Sequence, residues 1–109
     1  MARAIKWAWA AWGDLEAIAE FIGKDSPHYA ASFVRQARRM ARSLAFYSER
    51  GRVVPEFKNP AIRELLLGNY RLIYKVMPET VYVLGVIHGA RNLEDLWLLE
   101  NRGEGPATL

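Results

Sequence analysis

Three consecutive segments rich in Ile, Leu, Val and Tyr, separated only by short turns, constrain the fold of this chain most strongly. They cover residues 62–67, 70–77 and 80–88, and each has the length and composition of a β-strand. Gly68-Asn69, between the first two, is typical of a two-residue hairpin turn, and Pro78-Glu79, between the second two, suits a type I turn. The pattern therefore predicts three antiparallel strands in direct succession.

A first amphipathic helix is predicted upstream of these strands. Leu15, Ile18 and Ile22 recur at helical spacing, while acidic residues such as Asp14 occupy another face. These acids lie near the expected helix start, where the helix dipole favours negative charge. The helix is expected to end near Gly23.

A second helix is predicted to begin at Ser26-Pro27. Ser can accept a hydrogen bond from an orphan amide, and Pro at the first helical position gives up a donor that has no partner there. The apolar stripe extends this helix to about Phe46; its members are Tyr29, Phe33, Ala37, Met40 and Leu44. Because the connection between the helices is short, they are expected to form an antiparallel hairpin.

The first residues predict one more strand. Ile5, Trp7 and Trp9 alternate with smaller or polar residues over 4–9, which is the period of a strand with one buried face. This places Trp7 and Trp9 in the core and leaves Trp12, at the strand–helix junction, as the candidate for exposure. The predicted order is β-α-α-β-β-β, an α+β fold in which a helical hairpin packs on a small, mainly antiparallel sheet.

Two segments have less regular patterns. Residues 47–61 carry Gly51 and two Pro residues among charges, and they are predicted to form an exposed connection with at most a short extended piece. After His88, the sequence predicts a short C-terminal helix beginning near Asn92 and a flexible tail over 101–109.

The composition limits the class of protein. A chain of 109 residues, 51% of them apolar, is expected to form a single domain over 1–109 without disulfide or metal staples. The absence of Cys excludes disulfides, thiolate metal sites and cysteine nucleophiles. No metal or cofactor is expected. The longest apolar run has six residues, against about twenty for a membrane span, so a cytoplasmic protein without membrane contact is expected.

Basic residues are the main candidates for function, because the sequence contains no glycine-rich phosphate loop and no GxSxG or HExxH motif. Arg63, Arg71 and Arg91 fall on or just after three consecutive predicted strands. They would form a common basic surface if their side chains share a face. Arg71 lies within an apolar run, so it must face solvent, pair with an acid such as Glu64, or line a concave surface.

Other candidates have both a structural and a functional interpretation. His88 could act as a general acid or base, although a lone His is more commonly a hydrogen-bonded structural residue. Trp97 is expected to cover the sheet edge or to contact a ligand. A run of arginines on the second helix forms either a solvated face or a surface for an anionic partner; its members are Arg35, Arg38, Arg39 and Arg42.

Four segments together carry a family resemblance: GRVVPE at 51–56, IREL at 62–65, YRLIY at 70–74 and VIHGAR at 86–91. In this order, with Trp12 and Asp14-Leu15 upstream, they resemble the ParE/RelE toxin superfamily of plasmid-stabilisation toxin–antitoxin systems. The resemblance covers about residues 4–98. It implies a β-α-α-β-β-β fold with a short C-terminal helix.

The superfamily implies two different activities. RelE-like members cleave mRNA on the ribosome, whereas ParE-like members act on DNA gyrase and block replication. Arg71 and Arg91 match positions of phosphate-stabilising arginines in RelE-like nucleases, and Trp97 falls where these carry an aromatic residue. However, strand 62–67 lacks the additional Lys or Arg of those nucleases, and only His88 and Glu64 remain for acid–base chemistry. We therefore favour the gyrase inhibitor, with the ribonuclease as the alternative.

The resemblance also implies a protein partner, a ParD-like antitoxin that wraps around the helical hairpin and along the sheet. An acidic antitoxin segment would meet the arginine-rich surface. The expected partner-binding residues are Trp12, Arg38, Arg42, Arg63, Arg71, Arg91 and Trp97. An inactive toxin fold that only binds its partner is a further alternative.

Overall fold

The computed structural model describes residues 2–89. The elements in this part of the chain are β1 (Ala4–Trp7), α1 (Trp9–Gly23), α2 (Pro27–Ser43), β2 (Arg52–Val53), β3 (Ile62–Leu67), β4 (Tyr70–Val76) and β5 (Thr80–His88). The C-terminal helix and tail expected after Asn92 lie outside the described residues. Neither α1 nor α2 is long and apolar enough to cross a membrane.

The five strands form one sheet in the order β1-β5-β4-β3-β2. β1 runs parallel to β5, and the other neighbours are antiparallel, so the predicted α+β class and mainly antiparallel sheet are confirmed. The β3–β4 hairpin closes at Gly68-Asn69, where Gly68 has a φ of 60° that only glycine adopts readily. β2 is the short extended piece expected within 47–61.

The first strand is shorter than predicted. Ala8, with φ −60° and ψ 144°, is the N-cap of α1, and its amide donates to the Val83 carbonyl at 3.0 Å. Trp9 is therefore the first residue of α1 and is 66% exposed, so the prediction that it lies in the core is wrong. Trp7 is buried as predicted. A short alternating run also fits the start of a helix, and the chain takes that course after Trp7.

Asp14 joins α1 to the sheet and does not lie at the start of the helix, where the sequence predicts it. Because α1 begins at Trp9, no acidic residue lies in its first turn. Instead, the Asp14 Oδ2 accepts a hydrogen bond from the Val86 amide at 3.1 Å. The last β1–β5 pair joins Trp7 to Val83, so the Val86 amide lies beyond the reach of β1. Asp14 thereby ties α1 to the part of β5 that β1 does not cover.

Helix α2 begins as predicted and ends earlier. The Ser26 hydroxyl accepts from the Tyr29 amide at 3.2 Å, and Pro27 occupies the first helical position. The helix ends at Ser43, not near Phe46, because Leu44 forms the C-cap and turns the chain. Leu44 still continues the buried stripe, whereas Phe46 is exposed.

The sheet carries a core on each face. On the side that we call the helix-side face, α1 and α2 cover the sheet through a cluster that includes Leu15, Phe33, Ala37, Leu72 and Tyr74. On the opposite side, the far face, residues 54–61 cover a second cluster formed by Val54, Phe57, Ile62, Ile73, Leu84 and Ile87. The segment after β2 is therefore part of the core, although it was expected to be an exposed connection.

Tyr74 anchors the segment that leads into β2. Its ring is fully buried, and its hydroxyl donates to the Ser48 carbonyl at 2.8 Å and accepts from the Gly51 amide at 3.0 Å. Burial raises the pKa of the Tyr74 hydroxyl above its ordinary value. A Cβ at Gly51 would lie 2.5 Å from both the Glu64 carbonyl oxygen and the Tyr74 hydroxyl. This close approach requires glycine.

Replacing Gly51 by Ala should therefore destabilise the fold. We expect Gly51→Ala to lower the free energy of unfolding by about 1–3 kcal/mol, as overpacking commonly does. Gly13→Ala is the matched control, since a Cβ there meets nothing within 4 Å and Ala is the better helix former, by roughly 0.5–1 kcal/mol. Urea unfolding of both variants measures the effects; equal stabilities would contradict the steric argument.

Candidate functional site

The candidate site is a cluster of charged side chains on the far face of the sheet. Arg71 in β4 pairs with Leu66 in β3, and Glu64 lies two residues before Leu66. Since side chains alternate along a strand, Arg71 and Glu64 share the far face as diagonal neighbours. The Arg71 Nε donates to the Glu64 Oε1 at 2.6 Å. One of the three options open for Arg71 from sequence, pairing with Glu64, is confirmed.

Two further residues complete this arrangement, which we call the far-face ion-pair cluster. Arg71 donates from Nη1 and Nη2 to the two carboxylate oxygens of Glu56, each at 3.1 Å. Arg52 donates from Nε to the Glu64 Oε2 at 2.6 Å. Glu56 reaches Arg71 because its neighbours Val54 and Phe57 are held in the far-face core. Two arginines and two glutamates balance their formal charges.

The two central groups of the cluster are buried and the two outer groups are accessible. The exposed fraction of the side chain is 7% for Arg71 and 1% for Glu64, but 67% for Arg52. Burial opposes the charge of Arg71, yet the hydrogen bonds to Glu56 and Glu64 outweigh it, so the pKa of Arg71 lies above its ordinary value. The hydrogen bond from Arg71 in turn lowers the pKa of Glu56. Arg71 and Glu56 are therefore both charged at neutral pH.

This geometry limits what the cluster can do chemically. An arginine that stabilises a phosphate in a transition state must present its N–H groups to the substrate, and a general base must reach a substrate proton. The Nε, Nη1 and Nη2 of Arg71 all donate to carboxylates, and both Glu64 oxygens accept from arginines. As folded, the cluster is a structural ion-pair network.

Arg63 does not join this cluster. It pairs with Tyr74 across the β3–β4 hairpin and therefore lies on the helix-side face. Its Nη1 donates to the Gly51 carbonyl at 2.8 Å. The condition for a common basic surface, that the side chains share a face, is not met by Arg63 and Arg71, because strand alternation directs them to opposite faces. Arg91, the third member, lies outside the described residues.

His88 is also separated from Arg71 and Glu64. It is exposed at the end of β5 opposite Tyr70, and the two rings meet edge to face with centroids 5.3 Å apart. Arg71 instead pairs with Ile87, so His88 belongs to the other face of the sheet. The residues available for acid–base chemistry are thus not brought together. Within residues 2–89, no three His, Asp or Glu side chains are grouped to hold a metal ion.

The helical hairpin presents the remaining candidates. Trp12 is half-buried and meets Trp7 edge to face, with ring centroids 5.8 Å apart. The arginines of α2 line a small depression; they are Arg35, Arg38, Arg39 and Arg42. A role of these residues in partner binding stays a prediction. Trp97 lies outside the described residues.

Glu56 and Arg52 are members of the site that the sequence did not predict. Both were placed in a connection assumed to be exposed. A signal existed, because Glu56 lies between Val54 and Phe57, two apolar residues that the connection had no other reason to carry. An apolar flank on both sides of an acid indicates a segment that folds back onto the sheet.

The architecture is shared with a solved toxin–antitoxin chain. A chain of the "Chromosomal ParDE TA system from P. aeruginosa" superimposes with a TM-score of 0.65 at 21% sequence identity, covering 80% of this chain and 96% of that one. A likeness at this identity establishes the fold alone, a helical hairpin on a mixed sheet.

Sequence similarity then gives the family. Residues 5–93 match the family described as "ParE toxin of type II toxin-antitoxin system, parDE". A curated relative, "Toxin RelE2" from Caulobacter vibrioides, is 36% identical over 88 residues, which are 80% of this chain and 96% of the relative. The chain belongs to the ParE toxin family of type II toxin–antitoxin systems. Membership of this family implies an antitoxin partner.

Removing Arg71 should destabilise the fold more than removing both partners of the buried pair. We expect Arg71→Met to lower the free energy of unfolding by about 3 kcal/mol, because it removes the buried cation that pairs with the buried Glu64 carboxylate. Combining it with Glu64→Leu should restore more than half of that loss. Arg39→Met, at an exposed arginine of α2, is the control and should change stability by less than about 0.5 kcal/mol. A loss below about 1 kcal/mol for Arg71→Met, measured by urea unfolding, would contradict the structural role.

The lowered pKa of Glu56 predicts a specific acid dependence of stability. A carboxylate whose pKa is lower in the folded than in the unfolded state stabilises the fold above the unfolded value, and this is lost as the pH falls through the folded value. The free energy of unfolding should therefore fall less steeply on acidification below about pH 5 in Glu56→Gln than in the unmodified protein. Glu16→Gln, at an exposed acid of α1, is the control. Parallel acid profiles for the unmodified protein and Glu56→Gln would rule out this linkage.

Proposed function

We propose that this chain is the toxin of a type II toxin–antitoxin pair that inhibits DNA gyrase, blocks replication and is neutralised by a cognate ParD-like antitoxin. One observation favours gyrase over mRNA as the target: within the far-face ion-pair cluster, Arg71 and Glu64 are already hydrogen-bonded to charged partners. Inhibition of gyrase needs a binding surface and no hydrolytic group of the toxin. Gyrase inhibition therefore requires no catalytic role for Arg71, Glu64 or His88.

Ribonuclease chemistry would require the same three residues to act together on one phosphate. In-line attack of a 2'-hydroxyl on the adjacent phosphate calls for a base, an acid and cations around one phosphate. Arg71 and Glu64 are engaged with each other and with Glu56 and Arg52. His88 is on the opposite face. This separation favours the gyrase inhibitor.

Ribosome-dependent cleavage of mRNA is the second candidate, and one specific observation favours it. The curated relative at 36% identity is named Toxin RelE2, and RelE-like proteins are the ribonuclease branch of the superfamily. For this function Glu56 would have to leave Arg71, and Arg91 and Trp97 would have to complete the site from outside the described residues. An inactive toxin fold that only binds its partner is the outcome if neither target is affected.

For the antitoxin we propose contact with the helical hairpin and the sheet. The arginines of α2 offer positive charge to an acidic antitoxin segment, and half-buried Trp12 in α1 offers an apolar anchor. Trp12, Arg38 and Arg42 are the hairpin residues we propose. The other residues we propose are Arg63 in β3 and, outside the described residues, Arg91 and Trp97. The sequence also predicts Arg71, but its side chain is 7% exposed and donates to Glu56 and Glu64, so we do not propose it as a direct contact. We place the complex in the cytoplasm with its target.

A supercoiling assay tests the proposed target. Purified toxin freed of antitoxin, incubated with gyrase and plasmid DNA, should reduce supercoiling and accumulate linear DNA linked to protein. Prior addition of the antitoxin should abolish both effects. Unaffected gyrase, together with cleavage of mRNA on purified ribosomes by the same preparation, would establish the ribonuclease in its place.

Substitution of His88 separates the two functions in cells. His88→Asn removes the titratable imidazole at an exposed position, so we expect growth arrest on induction to stay within about twofold of the unmodified toxin. A ribonuclease that uses His88 as acid or base would lose about 100-fold or more of its activity. His28→Asn, at an exposed position of α2, controls for expression and general effects of losing an imidazole.

A further inference from the structure

Two aromatic rings stand exposed where the chain leaves α2. Phe46 is 74% exposed and Tyr47 is 69% exposed, in the turn that joins α2 to β2. They line an open depression of about 460 Å³ together with Arg3 and Arg50. A single exposed apolar side chain is common on protein surfaces. Two adjacent exposed rings beside arginines form a surface that combines aromatic faces with positive charge. We call this surface the 46–50 patch.

The arginines of the patch are fixed in position by neutral oxygens. Arg3 donates from Nε to the Met77 carbonyl at 2.8 Å and from Nη1 to the Ser48 hydroxyl at 3.1 Å. Arg50 donates from Nη1 to the Ser43 hydroxyl at 2.7 Å. These bonds orient each guanidinium, and among residues 2–89 neither arginine forms a short ion pair with a carboxylate.

Arg63 borders the patch in the same way. Its Nη1 donates to the Gly51 carbonyl at 2.8 Å and lies 3.4 Å from the Glu49 carbonyl. In the part of the chain that the structure describes, the arginines that form short ion pairs with glutamates are Arg52 and Arg71, on the far face. The arginines of the far-face ion-pair cluster are thus paired with carboxylates, whereas Arg3, Arg50 and Arg63 are held by carbonyl and hydroxyl oxygens.

The three arginines come from different elements. Arg3 precedes β1, Arg50 follows α2 and Arg63 lies in β3. The partial negative charge at the end of α2 explains one nearby cation. It does not explain why Arg3 and Arg50 both line the depression with the two exposed rings, with Arg63 hydrogen-bonded at its margin. Among the described residues that line the depression, Glu49 is the one acid.

We propose that the 46–50 patch binds single-stranded DNA. Unpaired bases stack on the faces of Phe46 and Tyr47, and the flanking phosphates are held by Arg3 and Arg50, with Arg63 at the margin. Stacking on exposed aromatic rings beside arginines is the general way in which proteins hold unpaired strands without reading their sequence. Stacking and phosphate contacts require no 2'-hydroxyl. A base-paired strand hides its base faces, so the patch discriminates against duplex DNA.

This site is separate from the proposed inhibition of gyrase and can be tested without it. The probe is a fluorescein-labelled oligodeoxythymidylate of about ten nucleotides, with binding to the purified toxin followed by fluorescence anisotropy. A duplex of the same length and an oligouridylate are measured in parallel. We expect the deoxy single strand to bind more tightly than the duplex and at least as tightly as the oligouridylate.

Matched variants locate the binding. Phe46→Ala and Tyr47→Ala should each weaken binding about fivefold or more, since each removes a stacked base. Arg50→Ala should also weaken binding and reduce the slope of log affinity against log salt by about 0.7. The control variants are Tyr29→Ala and Arg35→Ala, which replace an exposed aromatic residue and an exposed arginine within α2, away from the 46–50 patch in the sequence. Tyr29→Ala should leave the affinity unchanged, and Arg35→Ala should leave the salt slope unchanged.

Several results would overturn the proposal. Binding that is lost equally in Arg35→Ala and Arg50→Ala, and is unaffected by Phe46→Ala and Tyr47→Ala, would be nonspecific attraction to a basic protein. Tighter binding of the duplex or of the oligouridylate would reject single-stranded DNA as the occupant. Retained oligonucleotide binding but loss of gyrase binding in the Phe46 and Tyr47 variants would assign the patch to a protein partner.

Discussion

The ion pair between Arg71 and Glu64 joins two neighbouring strands on the face of the sheet that the helices leave open, and the order of that face depends on it. Either charge alone would be costly to bury. Through Arg71 the pair also holds Glu56, and with it the segment that covers Ile62 and Ile73. The same contacts occupy the donors and acceptors that a phosphate-cleaving site would need. One interaction therefore determines both the packing of the far face and its chemistry.

Much of the fold is predictable because its signals are local. The hairpin turn at Gly68-Asn69 and the Ser26-Pro27 cap each depend on a few adjacent residues, and both lie where the sequence predicts. The errors fall where two structures share one local pattern. Trp9 fits a strand as well as a helix start. The apolar stripe through Leu44 predicts a helix to about Phe46, whereas the helix ends at Ser43 and Leu44 is its C-cap. In both cases the tertiary packing, and not the local pattern, determines the boundary.

The site is less predictable because it depends on contacts between distant residues. The two-residue turn already fixes Arg71 opposite Leu66, so the separation of Arg63 from Arg71 follows from strand alternation once the register is taken into account. The contact between Glu56 and Arg71 does not follow from strand register. Its position depends on how the segment after β2 folds over the sheet, which no spacing in the sequence specifies.

The most direct test of this account is the state of the Arg71 side chain in solution. In a spectrum of side-chain N–H groups, the Arg71 Nε–H should exchange slowly with water at neutral pH, and its resonance should not move when inorganic phosphate or a short oligoribonucleotide is added. Arg39, which is exposed, should exchange rapidly in the same sample. Rapid exchange of Arg71, or a shift of its resonance that saturates with phosphate, would show that the guanidinium is open to substrate and would contradict the account.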